Sequence, residues 1–183
     1  MSEKDMFMNT WEREFQTTLK ILRAYPTDKL DLKPSDKSKT AKDLAWTFVA
    51  EEGVMIDGVC NGQIDFSKAP AAPSTFPEVI TSYESNHRAN VDRVKALTDY
   101  EWNSTIPFMV APKQMGQVRR GDILWMAVMD NVHHRGQLSV YLRLAGARHR
   151  SLRPASGSTR CCQFQGRRHP SKCFRFPVSH FVS

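Results

Sequence analysis

Residues Asp130-Asn131-Val132-His133-His134-Arg135-Gly136-Gln137-Leu138 set charged and amide side chains within an otherwise apolar stretch. On a helix, Asp130, His134, Gln137 and Tyr141 share one face, because they follow one another at spacings of four, three and four. Asp130 and His134 are one turn apart, so a carboxylate oxygen and an imidazole nitrogen can converge on one cation. The same geometry lets both histidines of His-Glu-x-x-His hold one metal. Burying a carboxylate without a partner costs several kcal/mol, so this face needs an explanation. Two readings stand at this point. One is a metal site. The other is a self-satisfied network, with Asp130 accepting from His134 or Arg135 and Gln137 serving neighbouring backbone.

The helix that carries this face is expected over about Gly121 to Leu144. Ile123, Leu124, Trp125, Met126, Val128, Met129 and Val132 make it apolar on nearly every side, which predicts the most buried helix of its bundle. A second helix starts at Thr40, where Asp43 three residues on completes a capping box, and it stops at Asn61-Gly62. Its stripe reads Ala41, Leu44, Ala45, Phe48, Met55, Ile56 and Val59. Glu52 falls in the middle of that stripe and Glu51 on its edge. A first helix over about Asp5 to Arg23 carries Met8, Trp11, Phe15, Leu19 and Leu22 at spacings of three and four. A third begins at Thr75, with Pro77 in its first turn and Glu78 in the third position. His87 lies on its apolar stripe and reads as a satisfied core histidine. His133, about 100° round from His134, is expected to face another helix or a dimer partner. Cys60 reads as a small buried residue. Residues 98–118, with Pro107, Pro112 and Gly116 among Ile106, Phe108, Met109 and Val110, are expected to form a long loop over one bundle end. No segment alternates convincingly, so the predicted class is all-α, a four-helix bundle.

The chain has 183 residues, 26 basic and 19 acidic, for a formal charge of +7. Every acidic residue lies at or before Asp130, while eight basic ones lie at or after Arg148. Residues 1–147 therefore hold 18 basic and 19 acidic groups, a net of −1. This near-neutral balance argues against nucleic acid as a partner of the bundle. No apolar run reaches membrane-spanning length. The polar start Met-Ser-Glu-Lys-Asp does not resemble a secretory signal, and four cysteines without a framework fit a reducing, cytoplasmic setting. Two regions are expected: a bundle over 1–147 and a basic, irregular tail over 148–183. The tail has no acidic residue and no periodicity, and it reads as a frameshifted or otherwise unselected C-terminus. A zinc site from Cys161, Cys162, His169 and Cys173 matches no common finger spacing.

The run His133-His134-Arg135-Gly136-Gln137, continued by Leu138-Ser139-Val140-Tyr141-Leu142-Arg143-Leu144-Ala145-Gly146, resembles the last helix of the DinB-like (DinB/YfiT) family. Thr40 to Glu52 resembles that family's second helix, and the likeness spans roughly residues 5–147. The resemblance implies an up-down-down-up bundle, often a homodimer. It also implies a divalent ion such as nickel or zinc held by three histidines, one from helix two and two from helix four. Some relatives are thiol-dependent transferases, and one type is an isomerase. Carried over by position, His134 stands at the last family histidine. Asp130 stands where the other helix-four histidine is usual, and Thr47 stands about where the helix-two histidine is expected. Glu51 lies one turn beyond Thr47. The expected metal set is thus His134, Asp130 and Glu51 or Glu52, lined by Thr47, Gln137, Tyr141 and His133. Oxygen-rich ligands shift preference toward manganese, iron(II) or magnesium. The functional expectation is a divalent-metal-dependent enzyme of the thiol-dependent S-transferase type acting on a small molecule. The alternative is a non-catalytic binding or stress-response module with a degenerate site.

Overall fold

A computed structural model describes residues 1–147. The expectations for the tail, including its cysteines and His169, lie outside the described residues. Four long helices form the body: α1 (Glu3–Ala24), α2 (Ala41–Asn61), α3 (Phe76–Ala96) and α5 (Arg120–Leu144). Between α3 and α5 come the short α4 (Asp99–Asn103) and a hairpin of β1 (Thr105–Ala111) and β2 (Gln114–Arg119). This corrects the expectation of a loop over 98–118. The strands pair antiparallel, Thr105 opposite Arg119 and Met109 opposite Met115, with an irregularity between Met109 and Ala111. Ile106 is the one deeply buried strand residue among β1 and β2. A hairpin that lays a single side chain into the core and exposes most others leaves no alternation in its sequence.

Local signals explain the helix ends. Ser2 caps α1 in a reciprocal box with Asp5. The Thr40 hydroxyl accepts from the Asp43 backbone N–H at the start of α2, which is the hydroxyl half of the expected box. Gly62 ends α2 at φ 82°, a left-handed turn that glycine enters without a Cβ penalty. At α3 the Glu78 carboxylate accepts from the Thr75 N–H. Gly121 lets α5 start against Trp102, since a Cβ there would come within 2.7 Å of the indole.

Helix α2 packs on α3 and α5, and α1 packs on the same two. Two apolar clusters fill the bundle. One, around Leu22, Phe48, Tyr83 and Leu142, closes the end where α2 begins. The other, around Phe7, Ile56, Trp102 and Leu124, lies under the hairpin. Polar side chains enter between them: Glu12 follows Trp11, Glu52 lies between Phe48 and Met55, and His87 follows Tyr83. Helix α5 is less buried than its composition predicts. Met126, Met129, Val140 and Leu144 are exposed, because an apolar face there meets no other helix of the described residues.

Candidate metal centre

Glu51 on α2 and Asp130 and His134 on α5 converge in the groove between these helices. One ligand atom from each lies within 4.8 Å of the other two. His134 Nε2 is 3.3 Å from Glu51 Oε1 and 3.4 Å from Asp130 Oδ2. The helical spacing accounts for the Asp130–His134 pair, and the α2–α5 packing brings in Glu51. The groove is open on one side: the His134 side chain is 15% exposed, Glu51 32% and Asp130 53%.

Hydrogen bonds set the imidazole. His134 Nδ1 lies 3.1 Å from Gln137 Oε1, and an amide oxygen only accepts, so Nδ1 carries a proton. The other end of the amide donates from Nε2 to His133 Nε2 at 3.0 Å. Gln137 thus reads both histidines and turns the His134 Nε2 edge toward the carboxylates. Burial pushes the Glu51 carboxyl above its ordinary value; His134 and Lys39 oppose this, while the charge and hydrogen bond of Asp130 add to it. Three donors crowd one point, two of them carboxyls that repel when both are ionised. A cation at that point satisfies all three, and the chemistry of the donor set therefore fits a divalent ion.

The remaining candidates fall around this cluster. Glu52 does not join it. One residue further round α2, its carboxylate is buried on the opposite side, where Oε1 is 3.1 Å from His87 Nδ1 and Oε2 accepts from Trp11 Nε1 at 3.4 Å. His87 Nε2 meets Glu12 Oε2 at 3.1 Å, and Phe15 stacks on the ring at 3.7 Å between centroids. His87 is thus a satisfied core histidine. Thr47 is buried and its hydroxyl is already engaged: it donates to the Asp43 carbonyl and accepts from Lys39 Nζ at 2.9 Å. Tyr141 donates to the Lys39 carbonyl and lines a pocket with His134 and Gln137. Arg135 does not partner Asp130; its guanidinium pairs with Glu14 of α1 at 2.6 Å. Cys60 is half-buried with a free thiol. Sequence reasoning missed Lys39, which lies before the α2 cap and reaches the site only through the fold.

A family model described as the DinB family matches residues 1–153. The uncharacterised protein YrdA of Bacillus subtilis (strain 168) is 29% identical over 147 residues, covering 78% of this chain and 83% of that protein. A DinB-like protein of Bacillus cereus ATCC 10987 superposes with a TM-score of 0.66 at 22% identity, over 78% of this chain and 92% of that one. The DinB-like protein YjoA of Bacillus subtilis gives 0.65 at 17% identity, over 78% and 94%. At these identities the superpositions speak for the fold alone. The family model covers most of the sequence, and the chain belongs to the DinB family.

Proposed function

We propose that the protein is a divalent-metal-dependent enzyme of the thiol-dependent transferase type, acting on a small molecule, and that it works as a homodimer. The observation that carries this reading is the convergence of Glu51, Asp130 and His134 within 4.8 Å. These three residues would hold the ion. When bound, a divalent ion lowers the pKa of a thiol or water so that a nucleophile exists at neutral pH. The chain's own residues then do the positioning. Gln137 holds the His134 proton on Nδ1 and keeps Nε2 available. Without the ion, burial raises the Glu51 carboxyl, and binding the ion would require its deprotonated form, so uptake would release any proton it holds. Lys39, anchored on Thr47, places a positive charge beside Glu51.

One observation favours the non-catalytic module with a degenerate site: the Thr47 hydroxyl is engaged by Lys39 and Asp43, so the helix-two position offers no ligand. Metal analysis of protein purified without an affinity tag separates the two readings. The enzyme reading expects about one divalent ion per chain and an unfolding midpoint that falls with chelator. A metal-free protein whose midpoint ignores both chelator and added manganese supports the module instead.

A further inference from the structure

Thr47 and Glu51 are one turn apart on α2, so they share a face. The Lys39 ammonium rests on the neutral Thr47 hydroxyl at 2.9 Å, and among the described residues it forms no ion pair. Two of its three protons are therefore left for a ligand. Its stem is flexible and its donors rotate, so the charge can swing to a partner nearby. Lys39 also lines a pocket of about 410 Å³, a volume within the roughly 300–1,000 Å³ typical of small-molecule sites. Ser38, His134, Gln137 and Tyr141 line the same pocket, and Leu44 and Val140 supply apolar wall.

Charge sets the ligand class, and the groups that set it line this one pocket. A divalent ion held by two carboxylates and an imidazole with its proton on Nδ1 leaves that centre without net charge. Lys39 is then the charged residue that remains in the lining. Gln137 adds a neutral donor: one amide proton goes to His133 Nε2, and the other is left for a ligand. His134 is both a wall of the pocket and one of the three residues that would hold the ion, so a molecule bound here lies against the metal centre. The apolar groove on the other side of the cluster, about 630 Å³, differs in this respect. Its polar lining is Glu51, Asp130 and His133, with no lysine or arginine. An oxyanion in that groove would meet carboxylates and no cation.

We propose that the pocket of Lys39, His134, Gln137 and Tyr141 binds the oxyanion of a small organic substrate, a carboxylate or phosphoryl group that pairs with Lys39. This inference rests on the metal-dependent reading above. Leu44, Val140 and the Tyr141 ring receive the apolar part of the same molecule, and His134 sets it beside the ion. The second amide proton of Gln137 completes the recognition of the oxyanion.

The test uses the full chain loaded with manganese and three probes that share one ring: benzoate, phenyl phosphate and benzamide, titrated calorimetrically. At least one of the two anions should bind more tightly than benzamide, and the tighter of the two names the group. Lys39→Met should weaken that anion by roughly tenfold, the size of one charge-assisted hydrogen bond lost, and leave benzamide unchanged. Lys39→Arg should restore most of the preference. Lys39 is exposed, so the fold should persist, and manganese content should not fall in either variant. Met129→Ala, in the groove on the other side, should leave all three affinities as they are. An anion that binds Lys39→Met as well as the wild type ligates the ion without Lys39. That result, or benzamide binding as tightly as either anion, overturns the inference while the metal reading stands. Loss of the anion's advantage in Met129→Ala but not in Lys39→Met moves the ligand to the other groove and also overturns it. A wild type that takes up no manganese sinks the metal reading on its own. The pocket is then judged in metal-free protein, where Lys39→Met must still lower the ratio of anion to benzamide affinity.

Discussion

Helix α2 carries two adjacent glutamates, and each meets a histidine, yet the two meetings have opposite character. Glu52 points to α1 and α3 and joins His87 and Glu12. Both His87 ring nitrogens lie 3.1 Å from carboxylate oxygens, so neither polar edge of the ring is left without a partner. The ring also stacks on Phe15 and meets Trp11 edge-on at 4.6 Å, so it is enclosed by aromatic side chains. The cluster satisfies its own hydrogen bonds, and its central side chains are almost inaccessible, His87 at 2% and Glu52 at 4%. Glu51 points the other way, to α5, and joins Asp130 and His134 in a groove open to solvent. There the imidazole is turned so that its free edge adds another electron pair to those of two carboxyls. One cluster is enclosed among α1, α2 and α3 with every ring nitrogen partnered, and the other gathers three ligand atoms within 4.8 Å in an open groove. The lesson is that residue type does not distinguish a structural histidine from a ligand. What distinguishes them is whether packing encloses the group or leaves its ligand atoms facing an open groove.

The sharpest way to break this contrast is His87→Ala. It leaves Glu52 buried without its ring partner and opens a hole between Phe15 and Trp11, and it should cost about 3–5 kcal/mol. Denaturant unfolding measures this, and a loss under about 1 kcal/mol would put His87 on a par with an exposed pair. His134→Ala should behave in the opposite manner. Metal uptake should vanish, whereas the metal-free protein should lose only about 0–1 kcal/mol, because its partners are partly exposed. Metal content by elemental analysis and midpoints with chelator check both halves. Gln137→Leu removes the amide that sets the His134 proton, and metal affinity should fall roughly 10–100-fold with the helices intact. Competition with a metal-binding dye reads it, and unchanged affinity would show that the tautomer is set elsewhere.

A third carboxylate calibrates the other two. Arg119 holds the Glu3 carboxyl down to about 2, with burial opposing and the Trp102 and Trp125 N–H groups assisting. Because the folded value is depressed, this contact stabilises the protein above the ordinary glutamate range, and the benefit disappears as pH falls toward 2. Glu3 is 37% exposed, so Glu3→Gln should cost no more than about 1 kcal/mol at neutral pH. Wild-type and variant stabilities, followed by acid titration, should converge near pH 2. A gap that persists there would mean that the variant disturbs packing instead of charge.

The sequence alone determined what is local. The helix starts at Thr40 and Thr75 and the stop at Gly62 follow from side chains bonding within three or four residues of themselves. The Asp130–His134 pair follows from one turn of helix, and Glu52 at the centre of an apolar stripe had to be buried. The family resemblance was legible for the same reason, since it rests on the spacing within α5. Tertiary structure decided the rest. Glu51, not Glu52, completes the cluster because α2 turns its stripe edge toward α5, and no local rule sets that rotation. Arg135 serves Glu14 of α1 in place of Asp130, since a long side chain takes whichever carboxylate the packing brings near. The hairpin was hidden because Ile106 alone reaches deep into the core, while Pro107 and Pro112 imitate a loop. Lys39 lay outside every motif, and only the folded connection before α2 brings its ammonium to Thr47 and the edge of the site. Spacing along a helix fixes which side chains share a face, but the docking of one helix on another fixes which faces meet.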